Sequence, residues 1–228
     1  DGISPHFLKQ VSSVVTTPLT YIINSSIANG TFPESWKHSK ISPVLKRGDP
    51  TIASNYRPVS CLPAASKVLE KIILKQLQKH FEDNHLLPPE QHGFCSGRSS
   101  ITALVSMVAE WTRNHDLNEN TGILFWDLSA AFDTLDVEIL CKKLKLYGAD
   151  VRAVRFFESF LTNRRQQVRI GNTLSEVKTT SIGCPQGSLL SPLIFLIYIA
   201  DIDLWVRNMK IYGYADDTAS SIHATNLD

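Results

Sequence analysis

The stretch Met209-Lys210-Ile211-Tyr212-Gly213-Tyr214-Ala215-Asp216-Asp217-Thr218-Ala219-Ser220-Ser221-Ile222 decides how this chain is read. Residues 209–214 and 218–222 have the composition of two short strands, so the Ala215-Asp216-Asp217 segment is expected at or beside a hairpin turn. A turn there presents two adjacent carboxylates at its tip. The pair is expected to be buried and therefore to need a positive partner. Mg²⁺ suits it, because that ion takes oxygen ligands, keeps some of its waters and is held by one or two carboxylates together with substrate phosphates. Asp-Asp is also an ordinary solvated turn, since aspartate hydrogen-bonds its own backbone in turns, and the rest of the chain has to decide between the two.

A second segment, Phe125-Trp126-Asp127-Leu128-Ser129-Ala130-Ala131-Phe132-Asp133, follows the apolar run Gly122–Trp126, which has strand length and ends in a carboxylate. Asp127 is thus expected to leave a buried strand, where a carboxylate is costly unless paired or metal-bound; a metal bridging it to Asp216 is the natural partner. Asp133 and Asp136 stand near the start of the next helical stretch and read as cap and helix-dipole residues. In a third segment, Gly183-Cys184-Pro185-Gln186-Gly187-Ser188, two glycines around Pro-Gln let a backbone pass close to a ligand. The apolar run after it, Leu189 to Ile199, reads as a helix with Pro192 in its first turn, where a missing N–H costs nothing.

Those three segments, in that order and spacing, resemble the reverse transcriptase of non-LTR (LINE-like) retrotransposons. Trp36-Lys37, Ile41 through Pro50 and Asn55-Tyr56-Arg57-Pro58-Val59-Ser60 are similar to the finger motifs of that family, and Gln91-His92-Gly93-Phe94 with Gly97-Arg98-Ser99-Ser100 to another of its blocks. The match runs from about Phe32 to the C-terminus. The resemblance implies an α+β right-hand polymerase fold: an antiparallel palm sheet flanked by helices, fingers at roughly 1–115 including an N-terminal helical extension, a palm at roughly 116–228 cut short at its C-terminus, and no thumb.

It also implies an RNA-directed DNA polymerase that adds deoxynucleotides to a primer 3′-hydroxyl by a two-metal mechanism. Asp127, Asp216 and Asp217 match the catalytic triad, with two Mg²⁺ ions, replaceable by Mn²⁺, held by these three and the backbone carbonyl of Leu128. Phe132 falls where the family places an aromatic residue under the sugar, against a ribose 2′-hydroxyl; Gln186 matches a residue that contacts the incoming nucleotide near its sugar. Arg57 and a base near Lys46 match finger residues that clamp the triphosphate through charge-assisted hydrogen bonds, with Lys46 and Arg47 unranked. Taken singly, Phe132 is also compatible with helix core, Arg57 with a surface cation and Gln186 with a loop cap. The implied partners are an RNA template, a DNA primer and deoxynucleoside triphosphates. Departures from the family pattern are Ala130, where relatives often carry lysine, the bulky Trp126, Cys95-Ser96 and Cys184; none removes a metal ligand. Two other readings stay open: a reverse transcriptase of the group II intron type, and a catalytically incomplete nucleic-acid-binding remnant.

Composition agrees with an ordinary globular chain: 228 residues, 43% hydrophobic and 20% charged, which disfavours disorder. A formal net charge of +1 does not by itself point to nucleic acid. Its distribution does, because Lys37, Lys40, Lys46, Arg47 and Arg57 oppose the single acid Asp49, while Arg152, Arg155, Arg164, Arg165 and Arg169 form a second cluster. Arg98, Arg164, Arg165 and Arg169 are the nucleic-acid contacts expected, whereas Arg152 and Arg155 equally suit a solvated helix face. The four cysteines are scattered without a Cys-x-x-Cys pair, which argues against zinc. With no signal peptide and no membrane-length apolar run, a cytoplasmic or nuclear setting is expected, and the missing initiator Met suggests an excised segment.

Helices are expected over the first thirty residues, broken near Pro18 and stopped by Asn29-Gly30, then over Lys67–His80 with Val68, Leu69, Ile72, Ile73 and Leu77 inward, Ser99–His115, Val137–Tyr147 and Asp150–Leu161, the last two separated by Gly148.

Overall fold

In the computed structural model, which describes residues 3–128, 131–206 and 208–225, the chain divides into two compact units, Asp1–Gln78 with Phe132–Ser191 and Lys79–Ala131 with Pro192–Asp228. Both draw on chain from either side of residue 115. Ala130 lies outside the described residues.

The first unit is built on a five-stranded sheet. Strands β1 (His38–Leu45) and β2 (Tyr56–Cys61) pair antiparallel, β1 runs parallel to β4 (Arg164–Ile170), and β4 pairs with β5 (Thr173–Leu174) and β6 (Lys178–Thr180); β3 belongs to the other unit. The β1–β4 register ends at Ile41↔Val168, so beyond Ile41 the strand keeps β2 as its partner. Pro43 and Pro58 face each other in that ribbon, tolerable because neither is required to donate to a further strand there. Helices α1 (Pro5–Gln10) and α2 (Ser12–Asn29) open the chain. The interruption falls at Val11 rather than Pro18, which lies inside α2, and the stop is Gly30 in the left-handed conformation at φ 61°. Phe7 and Val14, apolar residues of these two helices, are exposed.

Helix α3 (Ala64–Asp83) buries Leu69, Ile73 and Leu77 as the periodicity requires, but Val68 is exposed and Glu70 is fully buried. The Glu70 carboxylate is satisfied on all sides. It accepts from Ser66 Oγ at 3.0 Å, Ser188 Oγ at 2.7 Å and the Leu189 amide at 2.8 Å. Glu70 therefore ties the helix to the end of the glycine loop. Helices α5 (Val137–Leu146) and α6 (Val151–Leu161) begin at side-chain caps, Asp136 accepting from the amides of Glu138 and Ile139 and Asp150 from that of Ala153. Gly148, at φ 83°, stands between them as expected. Phe156, Phe157 and Phe160 of α6 are buried, and Phe32 meets Phe160 edge-on with centroids 5.0 Å apart.

The second unit holds a three-stranded antiparallel sheet of order β3 (Asn120–Asp127), β8 (Asp217–Ala224), β7 (Lys210–Tyr214), with helices α4 (Ser100–Asp116), α7 (Ser191–Ile199) and the short α8 (Ile202–Trp205). Serine 99 and Thr102 form a reciprocal capping box at the start of α4. Residues 193–197 of α7 are all nearly fully buried, consistent with its uniformly apolar sequence, and Pro192 sits in its first turn. The expected hairpin is present: β7 and β8 close on the pair Tyr214↔Asp217, leaving Ala215-Asp216 as a two-residue turn. Strand β3, by contrast, is a largely exposed strand rather than a buried one, with Phe125 71% exposed, and it stands next to β8 at the edge of the sheet among the described residues.

The aspartate turn is braced from one side by residues 90–93. The Gly213 amide donates to Glu90 O at 3.1 Å and the His92 amide to Gly213 O at 2.7 Å, while buried Gln91 accepts at Oε1 from the amides of Gly93 (2.8 Å) and Ala215 (3.1 Å). Ala215 adopts φ 60°, a conformation rare for a residue with a Cβ, which the Gln91 contact helps to hold. A Cβ on Gly93 would lie 2.1 Å from the Ala215 nitrogen.

Two outcomes follow. Glu70→Ala leaves the buried Ser188 hydroxyl and Leu189 amide without their acceptor, and should lower unfolding stability by about 3 kcal/mol, read as a drop in the urea midpoint; a loss below about 1 kcal/mol would mean that other groups or water replace the carboxylate. Gly93→Ala forces the aspartate turn outward and should raise amide hydrogen exchange at Ala215 and Asp216 by at least about tenfold, with unchanged exchange showing that residue 93 gives way instead.

Candidate active site

Asp127 and Asp217 are direct cross-strand partners, the last residue of β3 opposite the first of β8. Side chains opposite one another in an antiparallel ladder project to the same face and lie a few ångströms apart, and like charges in that position repel. Asp216 precedes Asp217 in the turn. All three are exposed, which corrects the expectation of buried carboxylates: what disfavours the arrangement is mutual repulsion in register, not burial in a low dielectric. Among the described residues, no salt bridge from a Lys or Arg neutralises them, and no three His, Cys, Asp or Glu side chains are gathered closely enough to hold a metal ion by themselves. Oxygen donors open to solvent, two of them side by side, still fit a hard divalent ion that takes its remaining ligands from water and phosphate. The Leu128 carbonyl accepts from the Ala131 amide at 3.3 Å, leaving its second lone pair for another partner.

The nucleotide-contact residues expected from the sequence lie in the first unit. Lys46 and Arg57 are exposed at the end of the β1–β2 ribbon where residues 46–55 connect the two strands, Arg57 opposite Val44, with the Lys46 amide donating to Asn55 O at 2.8 Å. Phe132 is half-buried at the head of the segment that leads to α5. Gln186 sits on the glycine loop, and this loop is held by the protein's own backbone rather than left free to approach a ligand. Added Cβ atoms at Gly183 and Gly187 would lie 2.8 Å from the carbonyl oxygens of Phe132 and Asp133 and 2.6 Å from that of Ser60. The amides of Gly183 and Cys184 donate to Leu135 O (2.8 Å) and Phe132 O (2.7 Å), and the Ser60 amide donates to Gln186 O at 2.6 Å. Cys184 is buried, which pushes its thiol pKa up to about 12 and keeps it neutral.

Of the arginines expected on nucleic acid, Arg164 is a correction. It is 5% exposed, donates to Phe160 O at 2.8 Å and places its guanidinium 5.0 Å from the Phe160 ring centre. Burial lowers its pKa to about 10, so it is still a cation at neutral pH, stacked into the aromatic core. Arg98, though exposed, donates to the carbonyls of Pro88, Pro89 and Gln91 and so clamps the segment that braces the aspartate turn. Arg165 and Arg169 are exposed, Arg169 donating to Gly171 O at 3.0 Å.

Sequence reasoning missed two residues. Glu70 carried a signal, since it shares a helical stripe with Ser66, Ile73 and Leu77, where a carboxylate has to find donors. Asp133, expected as a cap residue, does not cap α5; Asp136 does, and Asp133 instead accepts from the Gln186 side chain.

Among the described residues no helix is long and apolar enough to cross a membrane. Residues 44–226 match the family described as reverse transcriptase (RNA-dependent DNA polymerase). The chain is 32% identical over 210 residues to a probable RNA-directed DNA polymerase from transposon BS and 30% identical over 210 residues to the RNA-directed DNA polymerase from mobile element jockey, both of Drosophila melanogaster; each alignment covers 88% of this chain and 23% of the relative. The chain thus spans about a quarter of the length of these relatives. A solved structure of apo telomerase from Candida tropicalis, truncated from its C-terminal domain, superposes with a TM-score of 0.59 at 11% identity, covering 94% of this chain and 49% of that one, so the two share a fold. With the motif order, the aspartate pair and more than half the chain matched, this protein belongs to the reverse transcriptase (RNA-dependent DNA polymerase) family, in its non-LTR, LINE-like branch.

Proposed function

We propose that this chain carries RNA-directed DNA polymerase chemistry: template-directed transfer of a deoxynucleotide to a primer 3′-hydroxyl. In family terms it supplies fingers, at about 1–115, and palm, at about 116–228. The observation that carries the proposal is the in-register opposition of Asp127 and Asp217 beside the Asp216 turn, exposed carboxylates whose mutual repulsion a divalent cation would relieve.

The primer 3′-oxygen attacks the α-phosphorus; the new P–O bond forms as the bond to the bridging oxygen breaks, the hydroxyl proton passes to solvent, and pyrophosphate leaves. Asp127, Asp216, Asp217 and the Leu128 carbonyl would hold divalent ions, Mg²⁺ in this proposal with Mn²⁺ as substitute, which would supply Lewis-acid activation of the hydroxyl and offset charge on the phosphates. Arg57 and Lys46 bind triphosphate oxygens, Arg57 through its planar fork. Phe132, half-buried on a segment tied to the glycine loop, does not yield to a ribose 2′-hydroxyl and so favours deoxynucleotides. Exposed Arg165 and Arg169 are proposed to bind template or primer phosphates.

The test is extension of a DNA primer on an RNA template in Mg²⁺. Replacing Asp216 and Asp217 together by Ala should lower extension by more than about a hundredfold while duplex binding persists; equal extension by parent and variant would remove the aspartates from the chemistry, and silence from both would show that this segment does not act alone. In the same assay Phe132→Ala should raise ribonucleotide incorporation relative to deoxynucleotide by about tenfold, and an unchanged ratio would place sugar selection elsewhere.

A further inference from the structure

Gln186 Nε2 lies 3.0 Å from Oδ1 and 3.0 Å from Oδ2 of Asp133. A carboxylate only accepts hydrogen bonds and an amide nitrogen only donates, so this contact admits one orientation of the amide: nitrogen on Asp133, carbonyl oxygen turned away from it. The main chain on both sides of the contact is anchored. The Gln186 backbone is held to β2 by the Ser60 amide, while the segment carrying Asp133 is held to the same loop through Phe132 O and Leu135 O. Gly183, whose missing Cβ leaves room for the carbonyls of Phe132 and Asp133, makes that approach possible. Asp133 and Gln186 both line a cleft of about 650 Å³, with Ser60, Arg164, Gly183 and Cys184 among the other walls.

We propose that Asp133 is a positioning residue for nucleotide selection: by holding the Gln186 amide nitrogen it makes Gln186 present an acceptor oxygen, which reads a hydroxyl donor on the incoming sugar. This rests on the assignment of Gln186 to the nucleotide sugar and adds which group is read. A deoxynucleoside triphosphate carries one sugar hydroxyl, at C3′, so the acceptor discriminates against 2′,3′-dideoxynucleotides. Without Asp133 the amide turns freely and offers nitrogen or oxygen, and the discrimination is lost. Because Asp133 is exposed and follows Phe132 directly, one short segment handles both edges of the sugar.

The experiment measures equilibrium affinity of the full chain for dTTP and for 2′,3′-dideoxy-TTP, in Mg²⁺, on an RNA template with a DNA primer lacking its 3′-hydroxyl, so that no turnover occurs. The parent should prefer dTTP by about tenfold, the worth of one hydrogen bond. Asp133→Ala and Gln186→Ala should each bring the ratio close to one, the double variant should change it no further, and Asp133→Asn, which keeps an acceptor oxygen, should restore most of the preference; thermal melting should be the same throughout. A parental ratio in Asp133→Ala beside a lost one in Gln186→Ala overturns the role of Asp133 alone. A parental ratio in Gln186→Ala overturns the sugar assignment itself and the proposal with it, as does a parent that shows no preference.

Discussion

Backbone can approach backbone closely only where no Cβ intervenes, and the functional parts of this chain are assembled on such approaches. Gly93 lies against the Ala215 nitrogen, Gly183 against the carbonyls of Phe132 and Asp133, and Gly187 against that of Ser60. At each, an alanine methyl would fall inside atomic contact distance of main chain, which has no rotamer through which to yield. The first approach sets the aspartate turn within its unit; the other two lock the Gln186 loop to the Phe132 segment and to β2 within theirs. Each is then reinforced by hydrogen bonds that a more distant backbone could not make.

Electrostatics separates charges buried within the fold from charges left open to solvent. Glu70 is fully buried but meets three donors, whereas Arg164 is buried against aromatic rings with a backbone acceptor at Nη1 while its Nη2 has no hydrogen-bond partner among the described residues. Asp127, Asp216 and Asp217 are exposed and placed side by side. They lie open to water and oppose one another at short range, the arrangement in which hard divalent ions take oxygen ligands. Arg98 shows a cation spent on three main-chain carbonyls to hold the brace of the aspartate turn.

Much of the local structure was legible from periodicity and punctuation. The hairpin around Ala215-Asp216, the helices near 64–83, 100–116, 137–146 and 151–161, the Gly30 and Gly148 stops and the Asp136 cap all follow from side-chain spacing and backbone preference acting within a few residues. Misreadings arose where a distant partner decides. Pro18 was accommodated within α2; Gly122–Trp126 looked like an interior strand from its apolarity yet stands at an edge; Asp133 looked like a cap yet is claimed by Gln186, 53 positions along the chain.

The order of motifs, the carboxylates at a turn, the aromatic residue after Asp127 and the Pro-Gln loop between glycines are properties of the sequence by itself, and they suffice to identify the family and the chemistry to be sought. Only the tertiary structure decided which strand opposes which, so that Asp127 faces Asp217, which arginine is buried, and that Gln91 and Asp133 orient the turn and the amide beside them. The physical reason is range: dihedral preference and amphipathic period act over one or two turns of chain, whereas register, burial and the direction of a hydrogen bond depend on groups that folding brings together from far apart.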